Sequence, residues 1–341
     1  MRTGIVTGVL FALIGGMLLW GNGVENGPNP FITLGVMNGA VFGLVALGLV
    51  LVYKGTRVFN FAQGEFGTLA AYFLFFSISK EHFDLPYWAG IIIALILTVV
   101  IGLGIERTLI RPLINAPRVN LLVATIAIAL FAIGVEILAF KAEPRSLQPI
   151  IQALDANGNQ NGITVFDLPI EPQRLLALLV LGGLGVLLAY FFSRTDLGLA
   201  VLATSQDSFA TRVVGIGVER MSRFIWGSAA LLGAIAGILY TPLTGALTPA
   251  VMTTNILIPA FTGAVLGGMT SLPGAFVGGI LVGVVQSAGL WASGHFTLGG
   301  PVTEGGTALQ QTIPGLEQVA IILVLLIVLL ARPQGLLGRE T

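Results

Sequence analysis

Apolar segments of membrane-spanning length follow one another through this chain with scarcely a polar interruption. Ten can be marked, at about residues 4–20, 31–53, 64–79, 86–105, 119–140, 174–192, 222–241, 255–269, 272–292 and 315–332. Lipid offers backbone N–H and C=O groups no partner, so a run of this length must satisfy them within its own helix. Of the 341 residues 55% are hydrophobic and 9% charged, and the longest polar stretch, about 141–174, is too short for a soluble domain. The expectation is one all-α integral membrane domain over 1–341 with about ten transmembrane helices. The first segment is read as an uncleaved helix, because no small-x-small cleavage site precedes the polar loop at 21–30. The third and eighth segments are short, so that they either tilt little or run only part way across. Pro273 and its neighbouring glycines mark the eighth and ninth as the pair to be broken or bent.

Charge orients the chain. Cytoplasmic loops are enriched in Lys and Arg. With the N-terminus inside and alternating spans, twelve basic residues fall inside: Arg2, Lys54, Arg57, Arg107, Arg111, Arg118, Arg194, Arg212, Arg220, Arg223, Arg332 and Arg339. The four outside are Lys80, Lys141, Arg145 and Arg174, which accounts for all sixteen. This asymmetry selects both termini inside, with loop 141–174 outside. The acids lean the other way, with Glu25, Glu81, Asp84, Glu143, Asp155, Asp167, Glu171, Glu304 and Glu317 on the outer side. That acidic face is either a solvated surface or a docking surface for a soluble partner. The Asn- and Gly-rich insertion at 155–162 reads as a surface excursion.

Much chemistry is excluded by what the chain lacks. It has no cysteine, and His82 and His295 are isolated beside loops, so no catalytic, metal or cofactor site is expected. No G-x-x-x-x-G-K-[ST] motif is present. Paired intramembrane charges of the kind an ion-coupled pump needs are missing from the spans as marked. Glu65 and Glu317 stand at the very start of their marked spans, so Glu136 is the one acid well inside one, and it lies close enough to the outer end of its helix to snorkel to water. A source of energy, if the chain uses one, therefore belongs on another subunit.

Three stretches carry the remaining signal. In the inside loop 193–221, Thr204 with Asp207 three residues on resembles a capping box, and Gly215 supplies a stop. The spacing predicts one short amphipathic helix over 204–215, carrying Phe209 and Arg212, that lies on lipid or fits a groove on a partner. In 263–283, the pairs Gly263/Gly267, Gly274/Gly278 and Gly279/Gly283 form small-xxx-small faces. Gly267, Gly274 and Gly278 are expected where helix backbones nearly touch, with Gly278→Leu damaging and Gly278→Ala mild. In 53–67, Asn60, Gln63 and Glu65 crowd the start of an apolar helix, either as capping and anchoring groups or as the lining of a pathway. The stretch Gly43–Tyr53 also loosely matches Gly233–Tyr240 in opposite orientation, either a trace of inverted repeats or a chance likeness between glycine-rich helices.

Taken together, certain runs resemble a known family. They are Asn38 through Tyr53, Arg57-Val-Phe-Asn-Phe-Ala-Gln-Gly-Glu-Phe66, Arg111-Pro-Leu, Ala124-Thr-Ile, Arg194-Thr-x-Leu-Gly198, Ala203-Thr-x-Gln-Asp with Gly215-Ile, Leu266-Gly-Gly-Met-x-Ser-Leu-Pro-Gly-Ala, and Arg332-Pro-Gln-Gly-Leu-Leu-Gly338. The chain after Phe31 is similar throughout to the permeases of the branched-chain amino acid ABC importers, the H-type subunit in particular. Gln63, where that family usually has His, and the 155–162 insertion depart from the pattern. The resemblance implies an all-helical ABC importer permease fold, type II-like, with inverted-repeat halves. It implies a second permease in a homo- or heterodimer, two cytoplasmic ATPase subunits and an extracytoplasmic substrate-binding protein as partners. It also implies a bacterial inner-membrane location, with residues 193–221 as the segment coupled to the ATPase. The solute would be an amino acid, with urea or a short amide as the alternative within the family. An ion-coupled secondary carrier is the rival from a different class.

Overall fold

The computed structural model describes residues 29–114, 116–151, 163–165, 168–206, 208–295, 302–304, 307–309, 315–332 and 334–336. The first apolar segment, the insertion at 155–162 and Asp207 lie outside the described residues. Helix α1 spans Asn29–Thr56, α2 Gln63–Ile78, α3 Tyr87–Ile105, α4 Arg118–Phe140 and α5 Pro172–Arg194. Helix follows on either side of Asp207, as α6 at Asp196–Gln206 and α7 at Ser208–Val213. Then come α8 Val218–Thr244, α9 Ile258–Gly267, α10 Leu272–His295 and α11 Leu316–Ala331. Nine of the ten marked segments thus become helices, with ends shifted by a few residues. Two small antiparallel hairpins add to the all-α expectation: β1 Ile163–Val165 with β2 Leu168–Ile170, and β3 Val302–Glu304 with β4 Thr307–Leu309.

At the starts of α3, α4 and α5 proline falls where it does least harm, whereas Pro242 lies inside α8. Pro86 and Pro117 precede α3 and α4, and Pro172 opens α5, positions where a missing N–H breaks no intrahelical bond. Pro112 comes at the far end of α3, where the helix loosens into a π turn over Glu106–Ile110 and a 3₁₀ turn over Arg111–Leu113. Among the described residues six helices are long and apolar enough to cross a membrane: α1, α3 with its terminal turns, α4, α5, α8 and α10. The spanning windows of α1 and α8 are 89% and 72% buried, whereas those of α3, α4 and α5 are 22%, 28% and 22% buried. The first two are the centre of the bundle, and the other three present apolar flanks outward, as lipid requires.

Glycine makes the centre this compact. A Cβ added to Gly279 or Gly283 of α10 would run into the backbone of α1 at Gly43 or at Gly35 and Gly39. One added to Gly237 of α8 would strike Gly67 of α2. With no hydrophobic force between helices in lipid, contact this close supplies dispersion in its place.

Two helix pairs share a plan. Long α1 is followed by the bend at 57–62 and short α2. Long α8 is followed by the bend at 245–250 and a short helix that begins at Val251, passes through a π turn at Thr253–Leu257 and continues as α9. The bend before α2 sits inside the bundle. Thr125 Oγ1, about 10 Å along α4 from its start, donates to Phe59 O at 3.2 Å and accepts from Phe61 N at 3.4 Å. The chain thus bends within the bundle, and α2 starts among the other helices.

Candidate functional site

Where α2 begins, the side chains that fill the bend are polar and fully buried. Asn60 and Gln63 are each 0% exposed. Asn60 Oδ1 accepts from Ala62 N at 3.1 Å, and Asn60 Nδ2 donates to Gln63 Oε1 at 3.2 Å. Gln63 Nε2 donates in turn to Ala229 O of α8 at 2.8 Å. The amide of Gln63 lies in a slot between Gly48 of α1 and Gly233 of α8, where a Cβ on either glycine would press on it. These two residues therefore tie the re-entering chain to both central helices.

Glu65 follows in the first turn of α2, with both carboxyl oxygens buried and without a donor. Its neighbours come from three elements. Thr68 Oγ1, one turn on, accepts from Met252 N at 3.3 Å, and Gly64 abuts Thr253. Glu136 of α4 meets Glu65 from the other side. The expectation that Glu136 snorkels to water is corrected, since it is 0% exposed and accepts from Ala250 N at 3.0 Å. The loop at 245–250 folds over the end of α4 and keeps water away. Ala250 adopts a left-handed φ of 59°, costly for a residue with a Cβ, and its N–H caps onto Glu136. Arg145 clamps that loop from the 141–151 side. It exchanges backbone hydrogen bonds with Leu247, donates to Phe140 O at 3.2 Å and lies over the rings of Phe75 and Phe76. Sequence reasoning placed Arg145 only among the outer basic residues and missed Thr253 and Ala250. No local pattern joins residues so far apart in the chain.

A second group of expected residues gathers at the opposite, basic end. Thr204 does not open a helix. It lies within α6, its hydroxyl donating to Ala200 O at 2.8 Å, so helix begins before the expected start at 204, and it is described again over Ser208–Val213 as α7. Ser, Thr and Asp bond the backbone within a helix as well as at its start, which is why the capping pattern misled. Phe209 lies in α7, and Arg212 is exposed in its last turn. Gly215 does stop the helix, with φ 84°, Gly215 N bonded to Arg212 O at 3.0 Å and Ile216 N bonded to Thr211 O at 3.1 Å. That is the Schellman pattern. Beside it opens a cavity of about 860 Å³ lined by Arg111, Arg212, Gly215, Glu219, Arg220 and Arg223, among others. Arg111 bridges Glu106 at 2.9 Å and Glu219 at 3.3 Å, fixing the end of α3 to the start of α8.

The glycine seam reaches this same end. A Cβ on Gly267 would meet the Gly274 carbonyl, one on Gly274 the Gly267 carbonyl, and one on Gly278 the Gly263 carbonyl. Lys54 Nζ donates to Thr270 O at 3.0 Å, holding the turn between α9 and α10 to the end of α1. The chain after α11 closes over the turn, with Leu336 N bonded to Leu266 O at 2.7 Å and Gly335 against Gly268. Residues 334–336 thus pack on the turn within 266–275, from which they are far apart in sequence.

The profile of the family described as "Branched-chain amino acid transport system / permease component" matches residues 31–330, from the start of α1 almost to the end of α11. The chain belongs to this family. The permease is 28% identical over 315 residues to the high-affinity branched-chain amino acid transport system permease protein BraD of Pseudomonas aeruginosa, covering 89% of this chain and 94% of that one. It is 27% identical over 315 residues, with the same coverage, to the permease protein LivH of Escherichia coli K12, named for the same kind of system. It is 35% identical over 123 residues to the xylose transport system permease protein XylH of Escherichia coli K12, covering 36% of this chain and 29% of that one. No solved structure matches the permease. With its family and its apolar helices, it is a multi-pass membrane transport permease.

Proposed function

We propose that this chain is the membrane permease subunit of an ATP-driven importer for a branched-chain or related amino acid. The observation that carries the reading is the family match across 31–330, joined by likeness to two branched-chain amino acid permeases along nearly their whole length. The partners in this reading are a second permease, two ATPases on the cytoplasmic side and a binding protein that delivers solute from outside. The location is the cytoplasmic membrane of a bacterium, with both termini inside and about ten spans.

The pairs α1–α2 and α8–α9, each a long helix, a bend and a short helix, support the reading of inverted repeats. The repeats would rock against one another in alternating access. Residues 193–221 are the coupling segment, and Thr204, Asp207, Phe209, Arg212 and Gly215 act there. α7, held by the Gly215 stop above an arginine-lined cavity, presents Arg212 to an ATPase. Asn60 and Gln63 act first as anchors of α2. Lining of a pathway by Asn60, Gln63, Glu65 and Glu136 would require this buried centre to open during the cycle.

Reconstitution of the permease with its ATPases and binding protein in liposomes tests the proposal. Leucine, isoleucine or valine delivered by the binding protein should raise ATP hydrolysis and accumulate inside. Hydrolysis stimulated by urea or a short amide instead would favour the alternative within the family, and uptake driven by an ion gradient without ATPase would overturn the reading.

A further inference from the structure

Helix packing accounts for the seams of this bundle but not for the contact between Glu65 and Glu136. The two residues are 1% and 0% exposed and come from different helices, and their carboxyl groups meet beside residues 250–253, where Glu136 accepts from Ala250 N at 3.0 Å and Gly64 and Thr68, on either side of Glu65, pack on Thr253 and Met252. Both oxygens of Glu65 and Oε1 of Glu136 have no donor, and Ala250 N–H serves the remaining Glu136 oxygen. Other groups at the junction do not fill the deficit. The Thr68 hydroxyl accepts from Met252 N and stands beside Glu65 without an aligned hydrogen bond to it. The hydroxyl of Thr253 stands beside Glu65 without an aligned hydrogen bond. The hydroxyl of fully buried Tyr72, on the same face of α2 seven residues on, has no partner. Arg145, the cation on the loop after α4, is engaged with the Phe140 carbonyl and two phenylalanine rings and forms no bridge to either acid.

Two ionised carboxylates pressed together in a medium of low dielectric repel strongly. The N-terminus of the helix that starts at Val251 offsets only part of that charge. A hydrated cation would need space, yet Gly64 is packed directly on Thr253. We propose that Glu65 and Glu136 hold one proton between them, a buried proton-binding site at the junction of α2, α4 and residues 250–253. The proton on one carboxyl donates to the other, the repulsion disappears, and Glu136 keeps its bond from Ala250. The arrangement also fastens α4, which packs chiefly on α2 and on the π turn after α3. It stands whether or not a solute passes this point.

Infrared difference spectroscopy tests it on the assembled transporter in nanodiscs at neutral pH, parent against Glu65→Gln and parent against Glu136→Gln. The parent should show a protonated-carboxyl C=O band that shifts in D₂O, and both variants should lose that same band. In each variant the glutamine N–H takes over the proton's role and leaves the remaining carboxylate ionised. A parent spectrum without an acid band overturns the proposal by itself, even if a variant fails to assemble. So does loss of the band in only one variant, which would place the proton on an isolated acid. Exchange of choline for sodium chloride should leave the band in place, and its disappearance in sodium would mean that a metal ion sits there instead.

Discussion

At Gly278 the structure reverses an expectation about a single methyl group. Close packing by itself forecasts a mild Gly278→Ala, but the added Cβ would fall on the Gly263 carbonyl, a backbone atom that cannot swing aside. We therefore expect Gly278→Ala to cost about 1–3 kcal/mol as an overpacking change, and Gly278→Leu to prevent assembly. Thermal unfolding in detergent checks the first, and a parent-like midpoint for the alanine variant would show that α9 and α10 are not in contact there. Gln63 offers the opposite case, a polar side chain whose removal leaves a hole. Gln63→Ala loses the bonds to Asn60 and to Ala229 O and empties the slot between Gly48 and Gly233. The expected loss is about 1–3 kcal/mol, read as a lowered unfolding midpoint. Equal stability would mean that water replaces the amide without cost.

At the scale of the element, the end of α7 depends on one backbone conformation. Gly215 at φ 84° has no Cβ to strain, whereas a β-branched residue there is disfavoured by about 1–2 kcal/mol. Gly215→Val should unravel the stop and shift α7 while leaving the spanning helices assembled. In the reconstituted transporter, Gly215→Val and Arg212→Glu should each let ATP hydrolysis continue with less solute uptake. A ratio of uptake to hydrolysis equal to the parent's in both would remove α7 from coupling.

At the scale of the whole molecule, the orientation argued from arginine and lysine can be read directly, because the chain has no cysteine of its own. Glu143 and Gln206 are both exposed, the first on the loop after α4 and the second at the end of α6. In intact cells, an impermeant thiol reagent should label Glu143→Cys and spare Gln206→Cys until the membrane is opened. The reverse pattern would invert the topology and place α7 away from any cytoplasmic ATPase.

Periodicity and length were enough to mark nine of the described helices to within a few residues, since a span in lipid must close its own hydrogen bonds whatever its neighbours do. The glycine spacing in 263–283 likewise announced close approach, because that property belongs to one stretch of chain. Which backbone each glycine would meet did not follow. Gly279 against Gly43, and Gly335 against Gly268, pair positions that lie far apart in the chain. The same holds for the polar centre. Glu136 reads from the sequence as an acid near the end of a span, with water in reach. Only the loop carrying Ala250, held by Arg145 through Leu247, closes that end and turns the side chain inward toward Glu65. Local chemistry determined which segments became helices and where they ended. The burial of charge was decided by tertiary structure, because solvent access at one residue depends on chain that returns from more than a hundred residues away.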